Sequence, residues 1–549
     1  MTRRVRWLSL FSLVLSSCAA AYGCGAAADD DPLGSNPQDD AASDGTVTLP
    51  DGAPIPGDGS TLPDGAPKPD ADSPGEAGLD GGDDADAEID AGYDAGVVDP
   101  PGPLSPTYVD YDINHVLVTG QSNAVATGSS IPLSTTQPYG NLMFNSGIMA
   151  ASNCNGTGCR AYTAPTSFVP LVQNDNFYGG GAAETCTSGL ANEISHLAFQ
   201  RYDFNAHEGY PTKHDVLVSL HGRSGNTYWC LRKGFCSYQI NQPATPPRYI
   251  SPFAQGLMEV TDAKAVADAA GKSYVVRGVA VIHGESDHYA YINNAGNHPE
   301  FPLPGTDGTA NKIQDYTDAL VEWQEDYEAS IKAITGQAQP VPLFVLGLAG
   351  GNTSTTSQVA QMTLAAHTRA PGKVIYVAPS YPLAILSDCL HYSSHGERHA
   401  GEYFAKVYAK VVFGGEAWEP VRPMQITRAG NVVTVKYHVP VPPLTFDTAK
   451  VTNPGNFGYT FVDNGALVAI SSVAIAGPDT VTITLAAAPS GVNMRLRYAQ
   501  NTPPSPACIG PGTTFSGGSR GNLRDSDATP SLYGYDLSNW GAPFEMPVP

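Results

Sequence analysis

His115–Val118 (HVLV) is an apolar, β-branched run that leads straight into Thr119-Gly120-Gln121-Ser122-Asn123-Ala124. Such a run, closed by a glycine, reads as a buried strand ending in a tight turn. The pattern recurs along the chain. Asp215–Leu220 (DVLVSL), Val275–Ile282 (VVRGVAVI), Leu343–Leu348 (LFVLGL) and Val374–Val377 (VIYV) are further strands. Between and after them, Ser188–Phe199, Ala254–Ala270, Ile313–Ile334 and Gly396–Val412 have helical spacing. Short continuous apolar strands separated by helices predict an α/β fold, a parallel sheet covered by helices on both faces. In such sheets ligands bind at the carboxyl ends of the strands, so the residues just after each strand matter most.

Three of those ends carry chemistry. The first strand leads to Gly120-Gln121-Ser122-Asn123. The third leads to His283-Gly284-Glu285-Ser286-Asp287. Near the end of the α/β part comes Asp388-Cys389-Leu390-His391. A hydrolytic serine needs a base to take its proton and a carboxylate to fix the imidazole tautomer. Asp-x-x-His supplies base and orienter on one loop, and Ser122 supplies the nucleophile. Each piece alone has a plain reading: turn chemistry for Gly-Gln-Ser-Asn, a helix cap for Asp388, a hydrogen-bonded histidine for His391. The G-x-S-x-G elbow is absent, since position 124 is Ala.

GQSNA, HGESD and DCLHY together resemble the SGNH hydrolase superfamily, over about residues 110–414. Within it they are most similar to the sialate O-acetylesterase and carbohydrate esterase family six branch, which often reads GQSNM, QGESD and DGLHF. The resemblance implies a three-layer α/β/α sandwich, no metal and no organic cofactor. It implies hydrolysis of acetyl esters on carbohydrate by a Ser-His-Asp mechanism. Ser122 then resembles the nucleophile, His391 the general base and acid, and Asp388 its orienter. The backbone N–H of Ser122 would be one oxyanion donor, and Gly222 or Gly225 in HGRSGNTYW the second. The family's third donor is a Gln where this chain has His283. A neutral imidazole N–H can donate to an oxyanion, so His283 keeps that role as an expectation and makes it protonation-dependent. Gln121, Asn123, Glu285 and Asp287 are expected to support the site through hydrogen bonds.

A rival constellation is His391, His395 and His399, whose four-residue spacing would put three imidazoles on one helix face as zinc ligands. Against it, Ser393-Ser394 reads as the cap of a helix starting near Gly396, which leaves His391 on the preceding loop. Trp229 and Tyr228 follow the second strand and could stack on a sugar ring or pack under a Cys230–Cys236 loop. Trp323 reads as core.

The rest of the chain organises around this body. Met424–Tyr498 alternates apolar and polar residues (VVTVKYHVPV, VAISSVAI, TVTITL, MRLRY), which predicts a small all-β, sandwich-like C-terminal domain. RLRYAQN is similar to a strand that follows some of these esterase domains. The last 45 residues are rich in Gly, Pro and Ser and show few clear elements. Boundaries fall at 1–24, 25–107, 108–415 and 420–549.

Arg3, Arg4 and Arg6 followed by Trp7–Leu15 (WLSLFSLVL) read as an export signal, too short to span a bilayer. Leu15-Ser16-Ser17-Cys18 resembles a bacterial lipobox, which implies lipid attachment at Cys18. Cleavage after a small residue, with Cys18 removed, is the other reading, and Cys24 is a second candidate for the lipid. Residues 25 to about 107 repeat TLPDGAP and hold 20 acidic residues against Lys68 between Asp29 and Asp99. That composition predicts a disordered, extended tether. It accounts for most of the net charge of −24, leaving an ordinary body. The acidity excludes a phosphate-backbone binder, so no nucleic acid is expected. A membrane is met only through the lipid. Of nine cysteines, the pairs Cys154/Cys159 and Cys230/Cys236 read as local disulfides in an exported chain; Cys186, Cys389 and Cys508 stay unassigned. The combined expectation is an exported esterase acting on an acetylated glycan. The alternative is a surface carbohydrate-binding or adhesion lipoprotein with a vestigial hydrolase fold.

Overall fold

The computed structural model describes residues 104–549 apart from 151–161, 174–182, 203–213, 215, 235–249, 289–300, 350–357, 389 and 501–518. Cys18, Cys24 and nearly all of the tether lie outside the described residues. So do Cys154, Cys159, Cys236, Cys389 and Cys508, so neither predicted disulfide can be described. Cys186 is a buried free thiol.

Five parallel strands match the apolar runs: β1 (Ile113–Gly120), β4 (Val216–Leu220), β5 (Tyr274–Ile282), β6 (Leu343–Gly347) and β7 (Val374–Pro379). Short β2 (Leu142–Phe144) and β3 (Phe168–Pro170) extend one edge, where β3 runs antiparallel. The sheet order is β3-β2-β4-β1-β5-β6-β7. All five core strands are buried on both faces, which is why they read as continuous apolar runs rather than alternating ones.

Alternate residues feed two cores. Val116, Val118, Ala280, Ile282, Phe344 and Leu346 point to one face. Helices α1 (Cys186–Arg201) and α6 (Ser394–Tyr408) cover that face with Leu190, Ile194, Tyr403 and Phe404. Leu117, Val279, Val281, Leu343 and Val345 point to the other. There α3 (Pro252–Ala269), α4 (Tyr316–Thr335) and α5 (Gln358–Arg369) pack with Val260, Leu320, Trp323 and Val359. A four-residue turn, α2 (Tyr228–Leu231), follows β4. Helices on both faces of a mainly parallel sheet make three layers. Helices α1 and α6 meet through glycine: a Cβ on Gly189 would lie 2.1 Å from the Arg398 carbonyl oxygen, and one on Gly401 2.2 Å from that of Cys186. No helix among the described residues is long and apolar enough to cross a membrane.

The β-rich region forms two four-stranded antiparallel sheets. One is ordered β12 (Ile470–Gly477), β13 (Thr480–Leu485), β9 (Val432–His438), β8 (Arg422–Ala429). The other is ordered β11 (Ala466–Val468), β10 (Tyr459–Asp463), β14 (Arg495–Tyr498), β15 (Phe544–Pro547). Residues 94–549 form one compact unit. Tyr459, Leu496, Tyr498 and Trp540 join the same apolar cluster as Tyr381 and Tyr403, and the Tyr381 hydroxyl donates to the Gly541 carbonyl at 2.9 Å. The tail is ordered by what it covers. Leu532 N–H donates to buried Glu193 at 2.8 Å, Tyr533 N–H to Glu402 at 3.1 Å, and Lys406 to Asn539 at 2.6 Å. Residues 531–540 thus strap the outer face of α1 and α6, which no local pattern foretells.

Candidate active site

The parallel strands run, in sheet order, second-first-third-fourth-fifth along the chain. That order places a topological switch point between β1 and β5, the position at which open α/β sheets bind their ligands. Gly120 pairs with Ile282 there. Gly120 has φ +137°, and a Cβ on it would lie 1.9 Å from the Ile282 carbonyl oxygen. Only glycine lets the two strand ends lie this close.

Beyond Gly120 the chain makes a single helical turn, with Val125 N–H donating to Gln121 O at 3.1 Å and Thr127 N–H to Ser122 O at 2.9 Å. The first amides of such a turn have no partner of their own. Among the described residues the Ser122 N–H finds no acceptor, and neither does its Oγ. Beside this turn lies the loop after β4. Arg223 N–H donates to Gly120 O at 2.9 Å, and a Cβ on Gly222 would lie 2.8 Å from that same oxygen. The Gly222 N–H also has no acceptor among the described residues. Gly225, three residues on, sits at φ +70° with nothing near its Cβ position. Gly222 is therefore the glycine pressed against the Ser122 turn.

The third loop is tied to the first by side chains. Gln121 Oε1 accepts from Ser286 N–H at 2.9 Å and Gly284 N–H at 3.4 Å. Asn123 Nδ2 donates to Glu285 Oε1 at 2.8 Å. Asp287 Oδ2 accepts from Tyr228 N–H at 2.9 Å, which ties the third loop to the second. These bonds tie the three loops to one another.

The fourth loop carries Asp388 and His391. Asp388 Oδ2 lies 2.6 Å from His391 Nδ1, while Oδ1 accepts from Leu390 N–H at 2.9 Å and His391 N–H at 3.0 Å. Partial burial raises the Asp388 carboxyl, but the bonds from the His391 side chain and the two amides outweigh it and hold it at about 2. An ionised Asp388 fixes the proton on Nδ1 and leaves His391 Nε2 as the free acceptor.

Asn123, next to Ser122, brings this loop in. Its Nδ2 donates to Leu390 O at 3.3 Å and its Oδ1 accepts from Tyr392 N–H at 3.2 Å, so it grips both residues flanking His391. Ser129 Oγ also donates to Tyr392 O at 2.8 Å. Positions 122 and 391, far apart along the chain, therefore lie on adjoining loops. Ser122 Oγ and His391 Nε2 are not hydrogen-bonded to each other; neither has a partner among the described residues.

His283 departs from expectation. It is buried, its Nδ1 lies 2.6 Å from the Tyr316 hydroxyl, and its Nε2 faces Asn226 O at 3.2 Å and Asp287 Oδ2 at 3.3 Å. Two oxygen acceptors on Nε2 put the proton there, and Nδ1 accepts from Tyr316. Both nitrogens are engaged inside the protein, so His283 has no N–H to offer an oxyanion. It braces the second loop against the third instead. Tyr316, 33 residues away, is what decides this.

The other aromatic and histidine candidates make contacts within the protein. Tyr228 and Trp323 are fully buried, with the Tyr228 hydroxyl donating to Glu322 at 2.6 Å. Trp229 carries the Arg232 guanidinium 4.0 Å over its ring. His395 bonds the Tyr535 hydroxyl at 2.9 Å, and His399 bonds Asp536 O at 2.8 Å. Their imidazoles hold the C-terminal strap. Among the described residues no cluster of His, Cys, Asp and Glu has metal-holding geometry.

No family model and no curated protein matches the chain. Its fold is similar to that of XAC1771, described as a novel carbohydrate acetylesterase from Xanthomonas citri, at 11% identity over 79% of this chain and 80% of that one, with a TM-score of 0.43. It is also similar to NanS at 14% identity over 55% of this chain and 98% of that one, TM-score 0.33. A third likeness is to the M. smegmatis aryl esterase, at 12% identity over 54% and 97%, TM-score 0.26. At these scores the likeness decides nothing, and the functional reading rests on the residues.

Proposed function

We propose that the chain is a serine esterase of SGNH type that removes O-acetyl groups from a carbohydrate. The observation that carries the reading is the Asn123 grip, which sets the Ser122 turn beside an imidazole already oriented by an ionised carboxylate. Ser122 Oγ attacks the ester carbonyl as His391 Nε2 takes its proton. Asp388 stabilises the imidazolium that forms. The oxyanion faces the N–H groups of Ser122 and Gly222, which have no acceptor among the described residues. Collapse breaks the bond to the sugar oxygen, which takes the proton from His391 and leaves as the hydroxyl, and an acetyl group stays on Ser122. Water repeats the sequence and releases acetate. Ser122 Oγ and His391 Nε2 are not hydrogen-bonded to each other, and catalytic bonds of this kind tighten when substrate binds.

The acetyl-carbohydrate part of the reading is supported by the GQSNA, HGESD and DCLHY motifs. An export signal, with a lipid at Cys18, is supported by the N-terminal sequence and would hold the body at an envelope surface on its acidic tether. The expected result is acetate release from acetylated xylan or acetylated sialic acid, measured by coupled acetate assay, together with turnover of p-nitrophenyl acetate. Turnover of the aryl ester without acetate from any acetylated glycan would remove the carbohydrate assignment. The second reading, a binding module with a vestigial site, draws on the loss of His283 as a donor. Glycan binding with no turnover of any acetyl ester would favour it.

A further inference from the structure

Gly222 is flanked by two residues whose side chains run to one buried carboxylate. On one side, His221 Nδ1 lies 3.1 Å from Glu259 Oε2, with both side chains fully buried. On the other, Arg223 Nη1 donates to Gly222 O at 2.8 Å, and Nη2 donates to Gln255 Oε1 at 2.6 Å. Gln255 Nε2 in turn donates to Glu259 Oε1 at 2.9 Å. The two arms and the backbone from His221 to Arg223 close a hydrogen-bonded ring around the Gly222 peptide. The ring is anchored outside itself as well. Ser219 Oγ donates to Glu259 Oε2 at 2.7 Å, and His221 Nε2 lies 2.8 Å from the Tyr327 hydroxyl on α4. Gly256 on α3 leaves room for the imidazole, since a Cβ there would lie 2.6 Å from the His221 ring.

His221, Arg223, Gln255 and Glu259 are all buried polar or charged groups. Burying Glu, Gln, Arg and His together costs free energy unless every partner is placed, and a half-satisfied network is worse than an apolar one. Such a cluster beneath a strand-end loop fixes geometry. The backbone already holds His221 N–H on Val118 O and Arg223 N–H on Gly120 O, which sets where the loop lies. The ring adds what those bonds leave loose, the tilt of the peptides on either side of Gly222, and hence the aim of its N–H.

We infer that Glu259 is a positioning residue that holds the Gly222 N–H in line with the developing oxyanion, acting through His221 on one side and Gln255 and Arg223 on the other. The inference rests on the esterase reading. Glu259→Gln keeps the shape but removes the charge and replaces one acceptor oxygen with a donor, so the bonds of the His221 arm must reverse and the ring loses its charge-assisted bonds. A misaimed oxyanion donor costs less than an absent one, so the expected loss in kcat is about 10–100-fold, with KM for p-nitrophenyl acetate within about twofold. Because only the tetrahedral state meets that N–H, affinity for a boronic acid inhibitor should fall by the same factor as kcat/KM. A merely structural role would lower the folded fraction and leave that correlation absent.

Arg223→Lys is the second variant, for the case that Glu259→Gln does not fold. It keeps the charge, loses the planar fork that spans Gly222 O and Gln255, and should show the same split. Wild-type kcat and boronate affinity in either folded variant would overturn the inference. If the unaltered protein neither turns over an acetyl ester nor reacts with a fluorophosphonate, the esterase reading fails first and takes the inference with it.

Discussion

Ser122→Ala is expected to lower kcat/KM for p-nitrophenyl acetate by about 10⁴–10⁶-fold, the range seen when a serine nucleophile is removed. The melting temperature should move by no more than about 2 °C, since the deleted Oγ makes no hydrogen bond among the described residues and its loss leaves no partner unpaired. The turn itself is held by backbone bonds from Val125 and Thr127 and by the Asn123 side chain, none of which uses the serine hydroxyl. The oxyanion donors are backbone and survive in the variant, so a small residual rate above water is part of the expectation. Activity and thermal melting on the same preparation check both halves. A variant that keeps its activity, or one that loses it only by unfolding, would remove Ser122 from the nucleophile's role.

His391→Ala should cost a similar factor, and the double variant with Ser122→Ala should be no worse than either single one, because the two groups act as a unit. The loop should persist without the imidazole, since Asp388 still accepts the amides of Leu390 and residue 391. The same pairing fixes the pH behaviour. Asp388 is held at about 2 in the folded protein, below the value of about 3.9 for a free aspartate. Its depressed carboxyl therefore contributes stability above about pH 4 and loses it only as pH falls toward 2. Above pH 4 Asp388 stays ionised and adds no limb of its own to kcat/KM. Its carboxyl chemical shift, followed by NMR, should show no titration above about pH 4, and a titration there would contradict this.

The order of the five core strands and of α1, α3, α4 and α6 was legible because each carries its own signal, whereas α5, β2 and β3 were not singled out. Val275–Ile282 and Tyr274–Ile282 differ by one residue, since a run buried on both faces has no polar residue to blur its ends. Helix α4 starts three residues later than the periodicity from Ile313 suggests. Ile313 instead pairs with Leu303, and Asp315 caps the helix by accepting from Thr317 and Asp318. The cap at Ser393 was readable, and its hydroxyl accepts from Gly396 N–H at 3.2 Å. Asp388 and His391 were readable because they lie three residues apart on one loop.

What stayed hidden depends on partners remote in sequence. Gln255 and Glu259 look like an ordinary polar i, i+4 pair, and only the fold shows that they face inward beneath Gly222. His283 looked available to a ligand because Tyr316 and Asn226 are brought to it by α4 and by the loop after β4. The strap over α6 has the composition of a loose tail. Its order comes from buried acids on α1 and α6 that need donors. The choice of Gly222 over Gly225 needed the contact with Gly120 O, which spacing alone does not encode.

The most direct test of the convergence of 122, 388 and 391 is reaction of the intact protein with a fluorophosphonate, followed by peptide mapping by mass spectrometry. One phosphonate on Ser122 is expected, formed quickly in the unaltered protein and at least about 100-fold more slowly in His391→Ala. Modification at another serine, or none at Ser122 in a protein that still hydrolyses p-nitrophenyl acetate, would contradict the account.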